Sequence, residues 1–133
     1  MGMSLLRRAD PWLPPLVVMA VIFFFSAQPS LNTELGTIDL IGRKLTHFSE
    51  YALLCWLWWR VFVRFTSSHR ATLIALALSS AYAATDEFHQ TFVDGRHGTP
   101  VDWAIDTAGA ILAVVLIRRR GRARAQAQAQ ARA

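Results

Sequence analysis

Between positions 86 and 109 the chain reads DEFHQTFVDGRHGTPVDWAIDTAG, which sets five carboxylates, two histidines and an arginine at the junction of two strongly apolar stretches. Carboxylates and imidazoles move protons and ligate cations, and an arginine fork grips phosphate or carboxylate with two parallel hydrogen bonds. Charge beside lipid is costly, so such groups turn toward a protein interior or a wet cavity and raise a functional-site hypothesis.

Helical geometry says which polar groups can meet. At about 100° per residue, Lys44, His47 and Tyr51 share an arc of roughly 60°, with Glu50 on its flank. Asp86, Glu87 and Gln90 fall within roughly 100°, while Phe88 points nearly opposite and His89 lies at the edge. Asp102, Asp106, Gly109 and Ala113 line one narrow face, and the small residues there let another helix approach closely. Ser26 and Gln28 close the first apolar stretch at the same depth. Every apolar stretch thus delivers polar groups to one layer.

The elements that must position this layer are membrane spans. The chain has 133 residues, 53% of them hydrophobic, a mean hydropathy of +0.29, and its apolar residues come in blocks at 12–27, 45–65, 71–92 and 101–117. A soluble domain of this length is less apolar, and each block approaches the roughly 20 residues that cross a hydrocarbon core of about 30 Å. The first block resembles a signal peptide, with Arg7 and Arg8 as a basic start. A cut after Ala27 would put bulky Phe25 where a small residue is wanted, so the block is read as a retained span. The expected architecture is an all-α integral membrane protein, a four-transmembrane-helix bundle over 12–117 followed by a basic low-complexity tail at 118–133.

Eleven of the fourteen Lys and Arg fall on one side of these spans: Arg7, Arg8, Arg60, Arg64, Arg70 and the six arginines from Arg118 onward. The positive-inside rule makes that side, and both termini, cytoplasmic. Eight of the nine acids, all but Asp10, lie toward the other side. Acids contribute little to orientation, so an outward polar site is the cause we assign. The tail arginines suit anionic lipid heads, and no nucleic-acid module accompanies the high pI of 10.7. The closing QAQAQARA consists of good helix formers in low-complexity sequence and is expected to be frayed or disordered. Cys55, the lone cysteine, reads as a packing residue. Trp12, Trp58, Trp59 and Trp103 fall near span ends and read as interface anchors.

Three blocks, KLTHFSEY at 44–51, DEFHQTFVDGR at 86–96 and DWAIDTAGA at 102–110, resemble in this order the VanZ-like family, small bacterial membrane proteins named for a member linked to glycopeptide resistance. The resemblance covers roughly residues 12–117. It implies a bacterial cell-envelope protein of the cytoplasmic membrane, but no biochemical activity. Two positions depart from the family's habit: Arg43 stands where an Asp is frequent, and Asp106 where an Asn is frequent. An acid and a base exchanged together are a compensation.

Several readings of the polar layer remain open. One is a network locking the helices, with Lys44 and Arg96 compensating Asp86, Glu87 and Asp102. Contacts of this kind average only about 0.6 kcal/mol in membranes, which makes so many of them excessive as glue. A second is a metal site drawn from His47, Glu50, Asp86, Glu87, His89 and Asp102. Lys44 and Arg96 would repel a cation, no HExxH or paired-cysteine pattern is present, and no metal or other cofactor is assigned. The reading adopted is an outward cavity for an anionic envelope lipid or lipid-linked cell-wall intermediate, bearing on glycopeptide susceptibility. In it Glu87, His47 and Asp86 carry any proton transfer, and Arg96, Lys44, Gln90, Tyr51, Asp102, Asp106, Glu50 and Ser26 make the binding surface. Whether a reaction occurs stays open, because no serine or other nucleophile sits in a known turn motif. The alternatives are a proton-coupled carrier, which four spans would build by dimerising, and a structural scaffold. Expected partners are membrane lipids, the anionic ligand and a second copy of the chain, with no nucleic acid.

Overall fold

A computed structural model describes residues 10–29 and 36–132. Arg7, Arg8 and Glu34, which enter the topology argument, lie outside the described residues. Among the described residues the chain is all helical, with four helices and no strand: α1 Leu13–Ser26, α2 Gly36–Phe62, α3 Ser68–Gln90 and α4 Pro100–Arg132.

Each boundary has a local cause. Two prolines occupy the first turn of α1, where a missing N–H breaks no helical hydrogen bond, and Pro29 follows its end. Ser67 accepts the Arg70 N–H at 3.4 Å to start α3. Before Pro100, the Thr99 hydroxyl accepts the Asp102 N–H at 3.1 Å and donates to the Asp102 carboxylate at 2.6 Å. This closes the first turn of α4. Gly95, at φ 72°, turns the 91–99 connection where a side chain would be strained.

Two expectations about extent are corrected. α2 begins at Gly36, nine residues ahead of the apolar block, so its polar stripe lies inside a continuous helix. α4 runs without interruption to Arg132, so the closing stretch at 126–132 is helical where fraying or disorder was expected. The nucleation cost is already met by the packed part of α4, and Ala, Arg and Gln then extend it cheaply.

α2, α3 and α4 pack on one another, and α1 lies against α2 and α3. Their shared core holds Tyr51, Leu54, Cys55, Val61, Ala75, Ala83 and Ala110, all fully buried. Cys55 is thus a packing residue. Gly109 sets the α2–α4 distance: a Cβ there would collide with the Phe48 carbonyl, so only glycine lets the helices cross this closely. The Tyr82 hydroxyl ties α3 to α1 by donating to the Met19 carbonyl at 2.6 Å. Trp58 is corrected from interface anchor to core residue. It is buried, packed edge-on against Trp12 at 6.0 Å and beside Phe62 at 5.9 Å. Trp103 remains partly exposed and donates to the Ser80 carbonyl at 3.0 Å.

Many large apolar side chains are exposed. Phe24 and Phe25 on α1, Ile41 and Leu45 on α2, Leu73 and Phe88 on α3, and Val101 and Leu116 on α4 all face outward, while Asp86, Glu87 and Asp106 are buried. Among the described residues α4 is the one helix long and apolar enough to cross a membrane by itself, and α1 is a shorter apolar helix.

Candidate functional site

The three acids buried at one end of the bundle come from α3 and α4 and meet residues from α1 and α2. Asp86 Oδ2 accepts the Ser26 hydroxyl at 2.8 Å and the Gln90 side-chain amide at 3.3 Å. Gln90, one turn after Asp86 as the sequence spacing requires, also reaches Glu87 Oε1 and the Ser26 hydroxyl, both at 3.5 Å. Glu87 Oε2 accepts the backbone N–H of Thr99 at 3.1 Å. The loop can approach because residue 98 is glycine, and a Cβ there would strike the Glu87 carbonyl.

His47 reaches the same centre from α2. Its Nδ1 lies 3.7 Å from Asp106 Oδ2 and 4.0 Å from Asp86 Oδ2, beyond hydrogen-bond length in both cases. Among the described residues, Asp106 Oδ2, Asp86 Oδ1 and the Tyr51 hydroxyl find no hydrogen-bond partner although they are buried. Orphaned carboxylate oxygens in a protein interior are rare enough to need an explanation.

The two cations expected to compensate these acids are engaged elsewhere. The Lys44 ammonium meets Asp102 Oδ1 at 2.6 Å, which realises one of the expected pairs. Arg96 pairs with none of the layer's acids through a hydrogen bond. Its Nε donates to the Gln28 carbonyl at 2.8 Å and its Nη2 to the Phe25 carbonyl at 2.9 Å, so it caps the C-terminal end of α1. Burial lowers its pKa and the like charge of Arg43 adds to this, while Asp86 and Glu87 oppose; a guanidinium stays charged regardless.

A cavity of about 270 Å³ opens beside this centre, under the 91–99 connection. Lys44, His47, Glu87, Gln90, Arg96, Asp102 and Asp106 line it, together with Arg43, His97 and Thr99, which the sequence reading passed over. Thr99 was detectable, since Thr-Pro-x-Asp before an apolar run is a capping signature. Asp86 and Ser26 sit behind the wall, where Ser26 is fully buried and spent on Asp86. Tyr51 is buried with its ring 6.5 Å from that of His47. Glu50 is half-buried within Coulombic range of His47, Asp86 and Asp106. His89 lies outside the cavity lining and packs on Phe23, the rings 4.6 Å apart and tilted by 31°. His47, Glu87 and Asp106 bring one ligand atom each to within 4.8 Å of one another.

The arrangement offers proton donors and acceptors and cation ligands at a cavity wall, whereas Ser26 and Tyr51 are shut away from it. No curated protein and no solved structure matches the chain. All three polar blocks fall within residues 12–121, which match the family model described as VanZ/LLP1, and the chain belongs to this VanZ-like family.

Proposed function

We propose that the chain is a multi-pass protein of the bacterial cytoplasmic membrane whose four helices all cross the bilayer, with both termini in the cytoplasm. Its outward cavity binds the polar head of an anionic envelope lipid or lipid-linked cell-wall intermediate. The observation that carries this is the inversion of polarity at one end of the bundle. Asp86, Glu87 and Asp106 are buried around a cavity while Phe25, Leu45, Phe88 and Val101 face outward. An exterior of that kind suits lipid, and buried ionisable groups in such a setting mark a binding or transfer site. α1 is short for a full span, and α2 and α3 carry charge, but their charged ends gather in this one layer. Arg43 and His97 at the wall supply basic groups for an anionic head, Lys44 and Arg96 add positive potential there while bonded to Asp102 and to the end of α1, and the apolar flanks accommodate its chains.

Replacement of the chromosomal copy tests this. Glu87→Gln and Gln90→Ala are expected to reproduce the envelope phenotype of a deletion, scored as glycopeptide susceptibility, while the protein accumulates normally. Retention of the wild-type phenotype in both variants would overturn the site. Loss of folded protein in step with the phenotype would make the layer a structural network.

A further inference from the structure

We infer that His47, Glu87 and Asp106 together bind one divalent cation at the cavity wall. The three residues come from three helices and are separated by 40 and 19 positions in the sequence, so the fold itself assembles them. Their ligand atoms lie within 4.8 Å of one another, and His47 Nδ1 stands 3.7 Å from Asp106 Oδ2. Ligands about 2.1 Å from a shared ion are roughly 3.0–3.5 Å apart in tetrahedral or octahedral geometry, so side-chain adjustments of about 1 Å close the site.

Asp106 Oδ2 supplies the independent sign of a missing partner. Asp106 is 1% exposed, and among the described residues this oxygen has no hydrogen-bond partner, its nearest counter-group being His47 Nδ1 in ion-pair range at 3.7 Å. Charge gives the same answer. Asp86, Glu87 and Asp106 are three buried carboxylates facing one imidazole, because Lys44 is held by Asp102 and Arg96 by the end of α1. The sequence argument against a metal had two parts, repulsion by those two cations and the lack of an HExxH or paired-cysteine pattern, and the structure bears on the first. Neither cation hydrogen-bonds to the three acids, and Arg96 offsets Asp86 and Glu87 only through space, so the buried negative charge is incompletely balanced and a cation there is favoured.

The surroundings fit a metal site that keeps open positions. Thr99 N–H fixes one oxygen of Glu87, and Ser26 and Gln90 fix Asp86 just outside the ligand set, as outer-shell donors do. Three protein ligands leave coordination positions directed into the cavity. Two carboxylates and one imidazole, without a thiolate, suit Mn²⁺ or Zn²⁺. A phosphate head would occupy the open positions, a step that alone rests on the lipid reading.

The test uses full-length protein in detergent, stripped with EDTA and titrated with Mn²⁺, with free Mn²⁺ read by electron paramagnetic resonance and Zn²⁺ as competitor. Saturation at about one ion per chain is expected. His47→Ala and the isosteric Asp106→Asn should weaken binding by about tenfold or more. Asp94→Asn, on the exposed loop, should leave it unchanged. Stripped Asp106→Asn should melt no lower than stripped wild type, since it removes an uncompensated charge, so its loss of Mn²⁺ cannot be put down to unfolding. Absence of binding at millimolar Mn²⁺ and Zn²⁺, or binding that survives both substitutions, would overturn the inference and leave shared protons as the compensation. If no ion binds and the stripped protein keeps an anionic-lipid preference, the cation site fails and the lipid reading stands. One bound ion with no lipid preference reverses that outcome.

Discussion

Arg96 and Phe25, 71 residues apart, are joined by a 2.9 Å hydrogen bond from the guanidinium to the backbone carbonyl at the end of α1. With the second bond to Gln28, this makes Arg96 the strap between the 91–99 connection and α1. Arg96→Ala should cost about 1.5–3 kcal/mol, the range for hydrogen bonds to a charged group. Amide exchange at residues 25–28 should rise with it. Arg96→Lys keeps the charge but cannot span both carbonyls with a planar fork, so it should recover part of the stability.

Gly109 and Gly121 lie on the same helix and predict opposite outcomes. Gly109→Ala would drive a Cβ into the Phe48 backbone, and overpacking of this kind costs about 1–3 kcal/mol. A Cβ on Gly121 would meet nothing within 4 Å, so Gly121→Ala should gain up to about 1 kcal/mol of helix propensity. Thermal denaturation of the two variants checks both signs. A fall in stability for both would mean that α4 is constrained near residue 121 as well.

Thr99 joins the start of α4 to the polar layer through its hydroxyl and its backbone. Thr99→Val removes the hydroxyl that caps the helix and holds Asp102, and should cost about 1 kcal/mol in melting experiments. The Glu87 contact uses the backbone N–H and should survive. Ion binding at His47, Glu87 and Asp106 should therefore change little.

Much of the layer was legible because helical spacing alone aligns Asp106, Gly109 and Ala113 and sets Gln90 one turn after Asp86. All five are buried, and Gln90 bonds Asp86. Partner choice was not legible. Arg96 selects backbone carbonyls, which carry no residue identity, and Lys44 selects Asp102 from several acids of equal charge. The burial of Trp58 depends on Trp12 and Phe62 packing against it, which a position near a span end does not reveal. The helical tail reflects propensity continuing from a packed helix, where low complexity had suggested disorder.

Topology has a direct measure. The proposed orientation puts 91–99 on the outer face, so Asp94→Cys should react with a membrane-impermeant thiol reagent in intact cells, and a tag after residue 133 should react only after permeabilisation. Cys55 is buried and contributes little background. Labelling of position 94 only in permeabilised cells would place the cavity on the cytoplasmic side.

Native mass spectrometry of the protein released from bilayers of equal phosphatidylglycerol and phosphatidylcholine content tests the central claim most directly. The account predicts that about one phosphatidylglycerol per chain is retained preferentially, and that Lys44→Gln together with Arg43→Gln reduces this preference severalfold without changing helix content. Equal retention of the two lipids by the wild-type protein would contradict it.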